Sequence, residues 1–171
     1  MNRGYHEIKE HGKREFPFNI YPCSIPVDFS HVALHWHEEM EIIAVKKGKG
    51  RITVDTVSYP VEEGDILAVF PGQLHAISCG NGERMEYENI IFRLSMLMGD
   101  NGDGCTVHFL KPLQEGQAKN PVLIQRNQPD HEVFGKVIQE LDRFSEIRGN
   151  GYQLAVKGQL FLFLYYAYGR G

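Results

Sequence analysis

The feature that most constrains this chain lies between Met40 and Leu94, where β-branched and aromatic runs are cut by turn residues before any helix could complete three turns. Residues 41–46 precede Gly48-Lys49-Gly50, 51–54 precede Asp55-Thr56, and 57–61 precede Glu62-Glu63-Gly64-Asp65. Residues 66–70 stop at Pro71-Gly72, 74–78 start the next run, and Asn81-Gly82 offers a hairpin turn into a long strand over 85–94. About seven short strands without intervening helices predict an antiparallel sandwich or barrel. The mouth of such a barrel is a natural place for a ligand.

The flanks read differently. Residues 1–15 are charged and polar, carry His6 and His11, and are expected to form a mobile arm with surface histidines. Residues 16–26 hold Pro17, Pro22 and Pro26, which exclude a helix and suit an edge strand and loop. Residues 99–104 form a Gly- and Asp-rich loop, 107–110 read as one more short strand, and 119–128 as an extended connector to Pro129. Beyond it the period changes: Val133, Val137, Ile138, Leu141 and Phe144 recur at helical spacing, and Gly149-Asn150-Gly151 ends that helix. A second helix starts near Tyr152 and is apolar nearly all round, so two neighbours are expected for it, either within the chain or in a second subunit.

A net charge of −4 gives no basic footprint, which argues against nucleic-acid contact by these residues alone. Three cysteines without a CxxC pair, and no signal-peptide pattern, point to a reducing cytoplasmic setting. The longest apolar run, 160–168, is too short for the roughly 20 residues a membrane helix needs.

The chemistry concentrates in His35-Trp36-His37-Glu38-Glu39-Met40-Glu41. On a strand with period-two alternation His35, His37, Glu39 and Glu41 share one face, so His35, His37 and Glu41 can line a pocket together with His75. Trp36 then packs behind the strand, and Glu38 and Glu39 read as solvated rim. Phe18, Tyr21, Ile43 and Phe70 are candidates for the apolar wall of the pocket, with ordinary core packing as the competing role.

These residues carry a family resemblance. His35-x-His37-x3-Glu41-x6-Gly48 resembles the first cupin motif, although no glycine stands six residues before His35. Gly64 to Pro71-Gly72-x-x-His75 resembles the second, with Cys79 where that motif ends in Asn. With the helical tail, the chain resembles the N-terminal sensing and dimerisation domain of AraC-type transcription regulators. The resemblance implies a mainly β, cupin-like jelly-roll barrel followed by two C-terminal α-helices. It divides the chain into an arm (1–15), a barrel (16–128) and a helical dimerisation segment (129–168). Leu160, Phe161, Phe163, Leu164 and Tyr168 are then expected at a homodimer interface. The helix-turn-helix units that such regulators use on DNA are not expected within this chain, which reads as an excised sensor domain. By the same analogy, the arm is expected to fold over the barrel mouth when ligand binds.

Three imidazoles and a carboxylate suit one divalent transition metal: Zn, Fe, Ni or Mn. In the competing reading the histidines are polar pocket lining without metal, and Glu41 pairs with Arg51 or Arg93. The expected function is effector sensing, with a sugar or other polar metabolite in the barrel and no catalytic residues. The alternative is a metal-dependent cupin enzyme, a dioxygenase or isomerase, for which no catalytic pair stands at diagnostic spacing. The helical tail favours the sensor, which has to pass its state to a neighbour.

Overall fold

The computed structural model describes residues 3–118 and 120–170. The chain divides into two compact units, one running to Leu123 and the other from Ile124. The strands are β1 Phe18–Ile25, β2 Val32–His35, β3 Met40–Val54, β4 Val57–Glu62, β5 Ile66–Val69, β6 His75–Ser78 and β7 Met85–Phe92 in the first unit, and β8 Val122–Ile124 at its end. All the paired registers are antiparallel. The antiparallel sandwich or barrel expected from the strand and turn pattern is therefore present, with β1 as an edge strand that tolerates Pro22.

The 15-residue β3 holds the two halves together. Its first part pairs with β5 and β7, and its last part with β4 and β6. Gly48-Lys49-Gly50 is therefore a bend inside one strand rather than the expected turn. Register slips between Val45 and Lys47, and Gly48 sits at φ +78°, so the strand bulges and crosses from one sheet to the other. A side chain is excluded there, because a Cβ on Gly48 would lie 2.1 Å from the Arg84 carbonyl oxygen.

Asp55-Thr56 makes the expected two-residue hairpin, with Val54 opposite Val57. Asn81-Gly82 does not make a hairpin. It is a turn from β6, which pairs with β2 and β3, to β7, which pairs with β1 and β3, so it links strands of different halves. Residues 107–110 also depart from expectation: Thr106–Leu110 is a π-helical turn running into a short helix, α1 Lys111–Gln114. Between the two halves lies an apolar core that includes Ile43, Val45 and Leu67 from one side and Ile52, Val54 and Ile77 from the other. Burying it supplies most of the barrel's stability, at about 1.5–3 kcal/mol for each large side chain.

The second unit is the predicted helix pair, α2 His131–Ile147 and α3 Tyr152–Tyr168. Arg148 and Gly151 adopt left-handed conformations and reverse the chain between them. Phe134 packs edge-on against Phe163, ring centroids 5.3 Å apart, and Arg170 ties the end of the unit back to Asp130 at 2.7 Å. The expectation for α3 needs correction. Leu160, Phe163 and Leu164 are buried within the chain and are closed to a partner. Phe161 and Tyr168 are exposed, in line with Leu154 and Tyr165 at helical spacing. Among the described residues no helix is long and apolar enough to cross a membrane.

Candidate functional site

Four side chains meet inside the barrel. His35 ends β2, His37 lies two residues beyond it, Glu41 is the second residue of β3, and His75 opens β6. One atom from each lies within 4.8 Å of the others. The route to this convergence differs from the expected single strand, because residues 36–39 are not part of a strand. Two cross-links hold the pieces in place. His35 is the register partner of His75, and the Gly72 N–H donates to the His37 carbonyl at 2.9 Å.

All three rings are held the same way. Nδ1 of His35 lies 2.9 Å from the Ala33 carbonyl, Nδ1 of His37 lies 3.1 Å from that of Glu39, and Nδ1 of His75 lies 3.0 Å from that of Gln73. A carbonyl only accepts, so each Nδ1 carries a proton and each Nε2 faces the site. Nε2 of His37 and of His75 lies 2.9 and 3.1 Å from the same Glu41 oxygen. Orienting a ring through its outer nitrogen is how metal-ligating histidines are supported. The residues present therefore fit a divalent ion: three nitrogen donors, one oxygen donor, and a burial that leaves little room for other partners.

Electrostatics follow from the same geometry. Burial alone would raise the pKa of Glu41, but the charge of His75 and the hydrogen bonds from His37 and His75 outweigh it and hold the carboxyl below its usual range. Burial would lower His75, and Glu41 reverses that, so its pKa is raised. His35 is lowered, by burial and then by the charge of His75, which keeps its Nε2 lone pair free for a cation.

The remaining candidates separate. Tyr21 and Ile43 share the inner face with Glu41, through the aligned pairs Tyr21–Asn89, Ile43–Asn89 and Glu41–Ile91. Phe18 aligns with Phe92 and Met40 on the opposite face and does not line this pocket. Phe70 lies just past β5, buried, its N–H donating to Gln73 Oε1. Glu41 pairs with neither Arg51, which bonds Ser58, nor Arg93. Glu39 is buried rather than solvated and takes Arg93 at 2.8 Å.

The arm departs from the expected surface histidines. His6 stacks on Trp36 with centroids 4.2 Å apart, and Glu7 and Tyr5 hydrogen-bond the Trp36 backbone on either side. Trp36 therefore faces the arm. His11, expected at the surface, is buried, with Nδ1 3.2 Å from the Tyr21 hydroxyl. Spacing could not have found these contacts, since the arm has no apolar period.

The chain is similar to an uncharacterized HTH-type transcriptional regulator, YdeC, of Bacillus subtilis (strain 168), 27% identical over 88 residues. That alignment takes in 51% of this chain and 30% of the regulator, so the chain spans well under two thirds of its relative. Among solved structures it is similar to a cupin protein from Bacteroides fragilis, 25% identical over 49% of this chain and 69% of that one, with a TM-score of 0.37. It is also similar to a Cupin 2 conserved barrel domain protein from Salinispora arenicola CNS-205, 19% identical over 56% and 87%, with a TM-score of 0.43. Residues 26–164 match the family described as the AraC-like ligand binding domain, a span that takes in the barrel strands from β2 onward and nearly all of the helix pair. The chain belongs to the family of AraC-like ligand binding domains.

Proposed function

We propose that this domain is the effector sensor of a transcription regulator, taking a small polar molecule into the barrel at the His35, His37, Glu41 and His75 cluster. The carrying observation is the convergence of three backbone-pinned imidazoles on one buried carboxylate. An ion of the Zn, Fe, Ni or Mn type would be held by those four residues, where it would supply a Lewis-acidic contact for the oxygen atoms of a sugar or similar metabolite. The chain's own part is to fix the rings, exclude water and present Tyr21 as a polar neighbour. The protein acts as a sensor, not an enzyme, in the cytoplasm. DNA contact belongs to a separate helix-turn-helix domain of the regulator, in keeping with the B. subtilis relative.

Homodimerisation uses the exposed stripe Leu154, Phe161, Tyr165 and Tyr168 of α3, a contiguous apolar face of the kind that marks protein contacts. A thermal-shift screen of sugars and polar metabolites, with and without Zn²⁺, tests the reading. A ligand at a hundred times its dissociation constant adds about 2.7 kcal/mol. The proposal expects a hit that His37→Ala abolishes; stabilisation that survives His37→Ala places the ligand elsewhere and defeats it.

A further inference from the structure

Glu7 stands on the ligand side of the arm. The two hydrogen bonds Glu7 N–H to Trp36 carbonyl (2.9 Å) and Trp36 N–H to Tyr5 carbonyl (2.8 Å) lay the arm along the segment that carries His35 and His37. Side chains alternate in such a pairing, so His6 and Trp36 stack on one side while Glu7, His35 and His37 take the other. The consequence is measurable: Glu7 Oε2 lies 3.7 Å from His35 Nε2. Two donors on one ion, each about 2.0–2.2 Å from it, stand about 3–4 Å apart.

A second observation backs the first. His11 is buried, and its Nε2 has no hydrogen-bond partner. That nitrogen lies 3.7 Å from the same Glu7 oxygen, too long for a hydrogen bond but at ion-pair distance. Its ring centroid is 6.1 Å from that of His37. Glu7 is itself partly buried beside the His11 and His35 rings. With Glu41 it would bring two negative charges to a divalent ion.

Resting on the reading that His35, His37, Glu41 and His75 hold an ion, we propose that Glu7 is a fifth ligand, supplied by the N-terminal arm. The ion then joins arm to barrel. By linkage, anything that lifts the arm weakens the ion, and loss of the ion frees the arm to the same extent.

The test titrates Zn²⁺ into the wild-type chain and into Glu7→Gln, Glu10→Gln and His37→Ala variants. Calorimetry gives affinity. Emission from Trp36, the only tryptophan, and tryptic cleavage after the exposed Lys9, Lys13 and Arg14 report whether the arm is docked. Glu7→Gln is expected to weaken Zn²⁺ by about tenfold or more. Zn²⁺ is expected to protect the arm in the wild type and in Glu10→Gln, but not in Glu7→Gln. Equal affinity and equal protection in Glu7→Gln overturn the proposal while leaving the four-ligand site standing. Equal weakening in Glu10→Gln also overturns it, by reducing the effect to the arm's general charge. A wild type that binds Zn²⁺ no better than His37→Ala removes the site itself, and the proposal with it.

Discussion

Replacing Glu41 by Gln keeps the size of the side chain and removes its charge, at a position 2% exposed between two imidazoles. In the metal-free protein this takes away the partner of a buried cation. Removing one member of a buried pair costs about 3–5 kcal/mol, and the lower end applies because glutamine still offers an acceptor and opens no cavity. With a urea slope near 2 kcal/mol/M, about 3 kcal/mol moves the unfolding midpoint down by roughly 1.5 M. The pH dependence has a definite sign. Glu41 is depressed, so its contribution is complete above the ordinary glutamate value of 4.5 and is lost as pH falls through its lower folded value. His75 is raised, so its contribution is complete below the ordinary histidine value of 6.5 and is lost as pH rises through its higher folded value. The gap between wild type and Glu41→Gln is therefore widest between those two values and narrows in alkali. Urea melts in chelator at about pH 5.5 and 8.5 measure both effects. A midpoint shift below about 0.5 M at the lower pH, or a gap that widens in alkali, would refute the ion-pair reasoning.

Phe163→Ala removes a fully buried ring packed on Phe134 and is expected to cost about 3–5 kcal/mol in denaturant melts; a loss below 1 kcal/mol would mean that the helix pair does not depend on this contact. Gly48→Ala adds a left-handed strain of about 1–2 kcal/mol and a clash with the Arg84 carbonyl, whereas Gly72→Ala, at φ +80° with open space around it, adds only the strain. Equal costs for the two glycines, read from the same melts, would contradict the bulge in β3. Arg93→Ala strands the buried Glu39; because the guanidinium is half exposed, the expected loss is about 1–2 kcal/mol, and Glu39→Gln should restore much of it in the double variant.

Local patterns carried much of the fold. The alternation in β4 and β7, the Asp55-Thr56 hairpin and the Gly149-Asn150-Gly151 stop all act within a few residues, so they can be read without knowing what lies across the sheet. The histidine and glutamate spacing also pointed to one cluster, although its geometry comes from register between β2, β3 and β6 rather than from one strand. What was not legible depended on distant partners. Gly48-Lys49-Gly50 has the composition of a turn, and only the Arg84 backbone opposite makes it a bulge. Asn81-Gly82 turns the chain as its residue types require, but which strands it joins is set by the pairing of β6 and β7 elsewhere. α3 is apolar on most sides, so no periodicity separates Phe163, which meets Phe134, from Tyr165, which is exposed. The arm is polar throughout, and its docking rests on the Trp36 backbone, the His6 ring and the buried His11, none of which has a signature in spacing.

The most direct test is elemental analysis of the protein purified from cells grown with added transition metals, beside a His75→Ala variant whose near-wild-type circular dichroism is checked first. Approximately one Zn, Fe, Ni or Mn ion per wild-type chain, and almost none in the variant, is the predicted result. Wild type and variant carrying the same metal content, or both carrying none, would contradict the claim that the barrel's imidazoles and carboxylate form an ion site.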